Sequence, residues 1–409
     1  MDEATKYAIG LDVGTENVRA VVATINHDGE ISVVGYNEGP NAGMRKGVVA
    51  NLSGPAESID RMLGEVERMS GIEVNSAYVS INGAHVMSVK AEGMIAVGPE
   101  DHEISDDDMA RVEQAAVVGR VPANREILDV LPLSYTLDGQ SSIKDPLGMT
   151  GARLELKASV ISALAPNALN LRKAAEGAKV EVKKLVPSVV AAARAVLSEK
   201  QMENGVAVID LGAATTSVAI FEEGDLQYVG VIPMGANNIT NDLAIVLQID
   251  TKVAEDIKRR YIAKPVGESA DGEILVRSGK EEIAFSKAEI NEIIEARLAE
   301  IFECIRKELK ISKYDHKLPE GMVLVGGGAK LKDVAVFAKN ALEASIKIGT
   351  PKGLGGVADA IEKPEYAAAV GLAMMAARDN GVVEHKNKHS KKSSKKSGQG
   401  IFSKLFKKF

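Results

Sequence analysis

The chain has 409 residues, of which 45% are hydrophobic and 26% charged, a balance that excludes a disordered or collagen-like polypeptide and predicts two or three globular units. Its formal net charge is −7, but residues 386–409 contain nine lysines and no acid, so the rest of the chain carries −16. A single cysteine excludes an intrachain disulfide, and we expect neither a signal peptide nor a membrane-spanning run of about 18 apolar residues.

The predicted elements alternate between strands and helices, which is typical of an α/β protein. Residues 7–25 (YAIGLDVGTENVRAVVATI) predict strand, tight turn and strand, and a turn signal at 26–29 (NHDG) leads into a third strand. Helical spacing marks 56–71, 104–118, 167–178, 188–199, 251–262, 287–310 and 365–381, and strand patterns mark 76–83, 86–97 and 154–163. Residues 321–342 predict strand, glycine turn and helix. The last helix is expected to stop at Gly381, before a lysine- and serine-rich linker.

The opening pattern returns at 205–231 (GVAVIDLGAATTSVAIFEEGDLQYVGV), again as strand, glycine turn, strand, hairpin turn and strand. Asp12 and Gly14 correspond to Asp210 and Gly212, and the second loop is expected to be about two residues longer than the first. This faint repeat predicts two related halves, each opening with a β-hairpin.

Three glycine loops are candidates for binding phosphate. One Asp–x–Gly turn alone is better explained by turn chemistry, but two such loops facing each other would clamp a phosphate chain, with the hydroxyls of Thr215 and Thr216 as donors. An acid beside each turn could hold Mg²⁺ through water. The third loop, Gly326 to Gly328, follows an apolar strand and is neither a dinucleotide fingerprint nor a P-loop.

These three loops, in this order, resemble those of the actin and Hsp70 ATPase superfamily. The resemblance implies ATP and Mg²⁺ as ligands, with Asp12 and Asp210 holding the metal through water. It also implies at most a slow ATPase, for which we assign no catalytic base. Glu255 and Lys258 match the superfamily's helix that touches ribose and adenine, although their i,i+3 spacing is equally that of a surface ion pair. The implied nucleotide-binding residues are Asp12, Gly14, Thr15, Asp210, Gly212, Thr215, Thr216, Gly235, Glu255, Lys258, Gly326, Gly327 and Gly328.

Two longer stretches narrow the resemblance to the FtsA family of bacterial division proteins. Residues 121–163 look like the signature of that family, and 232–250 (IPMGANNITNDLAIVLQID) match it after the second loop, within a likeness that runs from Tyr7 to Arg378. One departure is TENV after Gly14, where many relatives carry Thr or Ser and Lys. Glu16 would repel a triphosphate if its side chain pointed into the site.

The resemblance implies an α/β, actin-like (ribonuclease H-like) two-domain ATPase fold with an inserted α+β subdomain and a C-terminal amphipathic helix on a disordered linker. The first domain is expected to comprise 1–79 and 164–204, on either side of the inserted subdomain at 80–163. The second domain is expected to comprise 205–235 and 308–378, the latter with a closing helix, on either side of a partner-binding subdomain at 236–307. A flexible basic linker at 379–400 and a membrane-targeting helix at 401–409 would follow.

The function implied is that of a scaffold which polymerises, joins FtsZ filaments to the cytoplasmic face of the membrane at the division site and helps to recruit later division proteins. FtsZ would bind near Arg259, Arg260 and Arg297. The alternatives are a related pilus-assembly ATPase, a sugar or acetate kinase and an Hsp70-like chaperone. The kinase lacks an identifiable catalytic acid, and the chaperone would need a large β-rich domain after Arg378.

The last residues, 401–409, form an amphipathic pattern after a polar spacer. At 100° per residue the apolar side chains fall within an arc of about 140°, and the lysines take the other side. A packed terminal helix and a nucleic-acid-binding tail are the alternatives, but we expect binding to anionic lipid and not to nucleic acid. The predicted membrane-binding residues are Ile401, Phe402, Lys404, Leu405, Phe406, Lys407, Lys408 and Phe409.

For two further sequence features, a structural role is favoured over a role in binding or catalysis. The acidic triplet Asp106 to Asp108 follows Ser105, so capping of a helix is predicted ahead of metal binding. Cys304 lies on an apolar helical face, which predicts a core position.

Overall fold

The computed structural model describes residues 6–26, 29–99, 101–263, 272–278 and 281–387. The predicted membrane-binding residues 401–409 and most of the predicted linker lie outside these ranges. The elements of the first half, before the insertion, are β1 (Lys6–Val13), β2 (Asn17–Ile25), β3 (Ile31–Pro40), β4 (Met44–Arg45), β5 (Val48–Val49), α1 (Ser53–Ser70) and β6 (Ser76–Ile81). The inserted subdomain contains β7 (Met87–Ala96), α2 (Asp106–Val117), β8 (Arg125–Leu137), β9 (Gln140–Ile143) and β10 (Arg153–Leu164). The chain then returns to the first half with α3 (Ala165–Gly177), β11 (Glu181–Pro187), α4 (Ser188–Val196) and α5 (Glu199–Asn204).

The second half begins with the repeat of the opening pattern. Its elements are β12 (Val206–Leu211), β13 (Thr216–Glu222), β14 (Asp225–Ile232), α6 (Ala236–Val246), α7 (Thr251–Ala263), β15 (Glu273–Ser278), β16 (Glu281–Ser286), α8 (Lys287–Ile311), β17 (Met322–Val325), a 3₁₀ turn (Gly327–Lys330), α9 (Val334–Leu342) and β18 (Ile346–Ile348). The chain closes with β19 (Gly355–Gly356), 3₁₀ turns at Ala358–Ala360 and Pro364–Tyr366, and α10 (Ala367–Asn387).

Apart from β19, which adds a sixth strand to the first sheet, both halves are built on sheets with the same strand order, which confirms the predicted repeat. The first sheet runs β11-β6-β1-β2-β3-β19 and the second β18-β17-β12-β13-β14, so each has an antiparallel hairpin beside two parallel strands. The strands are rich in Val, Ile and Ala because helices pack on them and keep water away from both faces. Leu11 and Val79 are fully buried in the first core, and Ile209 and Phe302 in the second.

The two repeated loops have the same length, and the prediction of a longer second loop was wrong. In the first hairpin Val13 pairs with Val18, and in the second Leu211 pairs with Thr216, so four residues turn the chain in each. The small residues Ala213 and Ala214 look like an insertion in the sequence, but the strand register shows that they replace Thr15 and Glu16.

The inserted subdomain is a four-stranded sheet in the order β7-β10-β8-β9, with α2 packed on it. Ser105 and Asp108 form a reciprocal capping box at the start of α2, which confirms the capping prediction. The described residues of the chain contain no group of three or more His, Cys, Asp or Glu side chains arranged to hold a metal ion.

The insertion contacts both halves of the molecule. Towards the first half, the Asp129 carboxylate accepts a hydrogen bond of 2.9 Å from the Lys184 ammonium on β11. Towards the second half, Lys144 Nζ lies 2.6 Å from Asp225 Oδ2 at the start of β14, and Lys90 Nζ donates to Gln227 over 2.7 Å. The insertion therefore bridges the two halves on the side of β14.

Helix α10 packs tightly on strand β1 and on α4. A Cβ added to Gly371 would overlap the carbonyl oxygen of Ala191, and one added to Gly10 would overlap that of Ala369. The helix continues through Gly381 to Asn387, so the predicted stop at Gly381 was wrong, and residues 379–387 of the predicted linker are helical. A glycine inside a helix costs only about 1 kcal/mol relative to alanine, which is not enough to end a helix without a capping conformation.

Two further observations concern the helices. Cys304 on α8 is partly buried and packs against the core of the second half, as predicted. Among the residues described, none of the helices combines the length and the apolar character needed to cross a bilayer.

Candidate nucleotide-binding cleft

A deep cleft lies between the two halves, where both hairpin loops and the third glycine turn meet. Its volume is about 910 Å³, which is within the range of small-molecule sites and leaves room for a nucleoside triphosphate. Of the predicted residues, those that line the cleft are Asp12, Gly14, Thr15, Asp210, Gly212, Thr215, Glu255, Lys258, Gly326, Gly327 and Gly328.

The two hairpin loops are closed by the same hydrogen bond. Gly14 N donates to Asn17 O over 3.0 Å, and Gly212 N donates to Thr215 O over 3.0 Å. A Cβ at Gly14 would lie 2.8 Å from Asn17 O, and one at Gly212 would lie 2.9 Å from Thr215 O. Both turns therefore require glycine, and the repeat extends to the hydrogen bonds of the loops.

Two buried carboxylates stand at the ends of β1 and β12. Asp12 Oδ1 accepts from Ser80 Oγ over 2.7 Å, and Asp210 Oδ2 accepts from Ser188 Oγ over 3.0 Å. Burial raises the pKa of Asp12, although Arg19 and Ser80 oppose this rise. Burial and the charge of Asp12 together raise the pKa of Asp210 to about 6. Two carboxylates that disfavour each other's charge in a buried cleft fit a divalent cation, which would relieve the repulsion.

A hydrogen-bonded chain beneath these carboxylates links the two halves. Ser188 Oγ, which donates to Asp210, accepts from Asn82 Nδ2 over 3.1 Å, and Asn82 Oδ1 accepts from Ser217 Oγ over 3.1 Å. Asn82 and Ser188 line the cleft, and sequence reasoning missed both. No motif marks them, because the hydrogen bonds of Asn82 to Ser188 and Ser217 join residues more than 100 positions apart along the chain.

The third glycine turn packs against the second loop. Gly326 has φ of +84°, and a Cβ there would overlap Asp210 Oδ1. Gly327 has open space where a Cβ would stand, so a ligand can approach its main chain closely. Beside the turn, Lys330 Nζ donates to Glu365 Oε1 over 2.8 Å.

Glu255 and Lys258 form an ion pair in the cleft wall in which the lysine is buried and the glutamate partly buried, so the interpretation as a simple surface ion pair does not describe them. Lys258 is 4% exposed, and its ammonium lies 2.6 Å from Glu255 Oε2 and 2.7 Å from Thr240 Oγ1. Burial alone would raise the pKa of Glu255, but hydrogen bonds from Lys258 and Thr240 lower it, so this carboxylate stays charged.

Three of the predicted nucleotide-binding residues make their contacts within the protein itself. Thr216 is fully buried and donates to Met234 O over 2.8 Å, so it supports the second loop from behind and does not line the cleft. Gly235 packs against the same loop, where a Cβ would lie 2.6 Å from Gly212 O. Thr15 lines the cleft but accepts a hydrogen bond of 3.0 Å from Gly47 N within the first half.

The acidic departure in the first loop lies at the mouth of the cleft. Glu16 is exposed, and its Oε1 accepts a hydrogen bond of 2.7 Å from Asn237 Nδ2 across the cleft. This contact joins the first loop to α6 of the second half.

The three arginines predicted to meet a partner differ in their availability. Arg259 is 73% exposed and pairs with Glu255, whereas Arg260 is half-exposed and pairs with Asp256. Arg297 makes a bidentate ion pair with Asp242, at 2.5 and 2.8 Å, and its side chain is 21% exposed. Arg259 and Arg260 are thus the more accessible.

Solved structures with the same two sheets and the same cleft identify the fold of this chain. The PilM–PilN type IV pilus biogenesis complex is similar with a TM-score of 0.66 and 19% identity, over 90% of this chain and 98% of that chain. MreB5 of Spiroplasma citri bound to AMPPNP is similar with a TM-score of 0.56 and 15% identity, over 94% and 100%. The two matching sheets and the cleft between them thus define an actin-like protein.

Sequence similarity identifies the family to which the chain belongs within this class of proteins. Residues 83–162 match the SHS2 domain inserted in FtsA, and residues 207–371 match the family described as cell division protein FtsA. The chain belongs to the FtsA family of cell division proteins. It is 34% identical to cell division protein FtsA of Pseudomonas aeruginosa, over 91% of this chain and 89% of that protein. Its identity to the Bacillus subtilis FtsA is 33%, over 91% and 83%.

Proposed function

We propose that the cleft binds ATP with Mg²⁺ and that the chain acts in cell division as a nucleotide-dependent, actin-like scaffold. The observation that carries this proposal is the pair of buried carboxylates, Asp12 and Asp210, brought into one cleft by two equivalent glycine loops. Such a pair is poorly stable without a cation, and the loops allow a phosphate chain to approach the main chain.

Each residue has a role in this proposal. Asp12 and Asp210 hold Mg²⁺ through water, and the bound ion supplies positive charge that offsets the phosphates. Ser80 and Ser188 orient these carboxylates through the hydrogen bonds described above. Gly14 and Gly212 with Thr15 and Thr215 lie beside the phosphates. Gly327 offers its main chain to adenosine, and Glu255 and Lys258 hold the ribose and base. We assign no catalytic base and expect at most slow hydrolysis.

The scaffold role extends beyond the nucleotide site. We propose that the chain polymerises, that subdomain 236–307 binds FtsZ near Arg259 and Arg260, and that the inserted subdomain serves self-association and recruitment of later division proteins. Membership of the FtsA family supports this role. Attachment to anionic lipid at the cytoplasmic face of the membrane is assigned to residues 401–409, which is supported by their amphipathic, basic sequence.

The nucleotide site is tested with Asp210→Asn, which removes a charge and keeps the shape. Outer-sphere partners of a metal ion contribute about 10- to 100-fold in affinity, so we expect Mg·ATP binding in calorimetry to weaken by that factor. Asp107→Asn, at an exposed acid in the first turn of α2, is the matched control and should leave the affinity unchanged. Equal affinities in wild type and Asp210→Asn would refute the site.

A further inference from the structure

Glu16, the acidic residue of the first loop, stands between the two halves at the mouth of the cleft. Its Oε1 accepts a hydrogen bond of 2.7 Å from Asn237 Nδ2, in the first turn of α6. By contrast, the hydrogen bond that Thr15 Oγ1 accepts from Gly47 N stays within the first half. The side chain of Glu16 therefore carries the first loop's contact across the mouth.

Each end of this contact is anchored on one of the two hairpin loops. On the first half, Asn41 N donates to Glu16 O over 2.8 Å, and Asn41 Nδ2 donates to Gly14 O over 2.6 Å. On the second half, Asn237 N donates to Ala213 O over 2.7 Å, so the start of α6 is fixed to the second loop. The bond between Glu16 and Asn237 thus ties the two glycine loops to each other.

The contact also stands at the boundary between two spaces. Glu16 and Asn237 line both the cleft and a neighbouring pocket of about 390 Å³, whose wall includes Thr251 and Lys252. In the repeated turn, Ala214 occupies the position equivalent to Glu16, and its methyl group is too short to reach across the mouth. The bridge is therefore supplied by the first loop and not by its repeat.

We propose that the hydrogen bond between Glu16 and Asn237 is a latch that limits the rate at which nucleotide leaves the cleft, and this inference rests on the proposed nucleotide site. A nucleotide held between the two loops is released when the loops separate, and their separation breaks this bond. The bond therefore adds to the barrier for opening. Because Glu16 is exposed and water competes for its carboxylate, the bond should slow release by about 2- to 10-fold.

A role for Glu16 through its charge alone makes different predictions. A carboxylate that only repelled the phosphates would speed the release of ATP more than that of ADP, because the repulsion grows with the charge of the ligand. That effect would not depend on Asn237, which is uncharged. A latch between two protein groups does not sense the number of phosphates, so it slows the release of ATP and ADP by the same factor.

The test follows the release of radiolabelled ATP or ADP, with Mg²⁺, from the full chain after excess unlabelled ATP is added. Asn237→Ala removes the donor of the latch but keeps the charge of Glu16 and the main-chain bond to the second loop. Its dissociation rate constant should rise about 2- to 10-fold, equally for ATP and ADP. Asn241→Ala, at an exposed position one turn further along α6, is the matched control and should release both nucleotides at the wild-type rate.

Two variants of Glu16 separate the latch from the charge. Glu16→Gln and Glu16→Ala both remove the charge, but only glutamine keeps an oxygen that can accept from Asn237. Glu16→Gln should therefore release nucleotide more slowly than Glu16→Ala. In the Glu16→Ala background the latch is already broken, so adding Asn237→Ala should cause no further acceleration.

Three outcomes would overturn the latch while leaving the nucleotide site standing. They are release from Asn237→Ala no faster than from Asn241→Ala, acceleration of ATP release alone, and an equal effect of Asn237→Ala in the wild-type and Glu16→Ala backgrounds. A wild-type chain that bound neither ATP nor ADP would overturn both the latch and the site. A dissociation rate constant is measured only on molecules that hold nucleotide, so misfolded protein in a variant preparation cannot imitate the result.

Discussion

At the scale of single residues, Asn82 joins three regions of the molecule. Its Oδ1 accepts from Ser217 Oγ in the second half and from Gly83 N, where the insertion begins, and its Nδ2 donates to Ser188 Oγ on α4. An amide is suited to this position because it carries both donors and acceptors. Its loss would therefore affect the second half, α4 and the start of the insertion together.

Replacement of Asn82 tests that role. Asn82→Ala leaves the hydroxyls of Ser188 and Ser217 short of a partner, so the free energy of unfolding should fall by about 1–3 kcal/mol. Denaturant titration would measure this loss, with Gln140→Ala at an exposed position of β9 as the control. A loss no larger than that of Gln140→Ala would show that Asn82 is not a junction.

His85 predicts a dependence of stability on pH. Burial, and then the nearby Arg125, lower the pKa of this imidazole from 6.5 to about 4. Above pH 6.5 the group is neutral in both states, and its full contribution is present. Between pH 6.5 and 4 the unfolded chain takes up the proton before the folded chain does. The free energy of unfolding therefore decreases as the pH is lowered through this range.

The size of this effect is limited by the partial exposure of His85. We expect a loss of about 1 kcal/mol between pH 7 and 5 that is absent in His85→Gln, measured by denaturant titration at both pH values. Parallel pH profiles for wild type and variant would contradict the assignment.

The residues that sequence could predict are those whose chemistry is local. Asp12 and Asp210 stand beside their own glycine turns, so a short pattern identifies both. The structural roles of Asn82, Ser188 and Arg19 depend on contacts across the cleft or across the hairpin. No short sequence pattern encodes such contacts.

At the scale of elements, helix α10 is positioned by glycine. Gly371→Ala would drive a methyl group into the carbonyl oxygen of Ala191, so the free energy of unfolding should fall by about 3 kcal/mol or more. Gly64→Ala is the matched control, because Gly64 lies inside α1 with open space where a Cβ would stand. That variant should stabilise the chain by about 0.5–1 kcal/mol in the same denaturation experiment. Similar effects of the two substitutions would show that the helix is not closely packed at Gly371.

The elements that sequence predicted best are the hairpins, because their turn residues allow few conformations. Strand β8 is not among the strands predicted from the sequence, and it contains Pro132, a residue type that is unfavourable inside a strand. In the structure Pro132 lies at a shift of register between Lys157 and Ala158 of β10. Proline has no backbone N–H to donate to the neighbouring strand, and the bulge at this position interrupts the regular hydrogen bonding that would need one. The strand therefore depends on its long-range partner.

At the scale of the whole molecule, the arrangement of halves could be predicted only through the repeat and the family resemblance. Composition gave two or three units, but the bridging of both halves by the insertion rests on pairs such as Lys144 with Asp225, which are 81 residues apart along the chain. Spacing along a sequence does not encode a pair of that kind.

Attachment to lipid is a prediction for the full chain. Deletion of residues 400–409, or Phe402→Glu with Phe406→Glu, should abolish sedimentation with anionic liposomes, because the apolar arc supplies the insertion energy. ATP binding should persist. Phe402→Leu with Phe406→Leu keeps the arc apolar and should still sediment, with binding that weakens as salt is added since each lysine contributes about 1 kcal/mol. If the deletion variant sedimented as well as the wild type, residues 401–409 would not be the membrane anchor.

The close packing of α10 on β1 has a mechanical consequence. Gly10 lies against Ala369, and β1 ends soon afterwards at Asp12 and Val13. A pulling force applied to the chain beyond Asn387 enters the protein along α10 and reaches the strand that carries Asp12 without crossing a loop. Under the proposed function, tension on α10 would therefore act directly on the strand that carries Asp12 and would couple load to the nucleotide site.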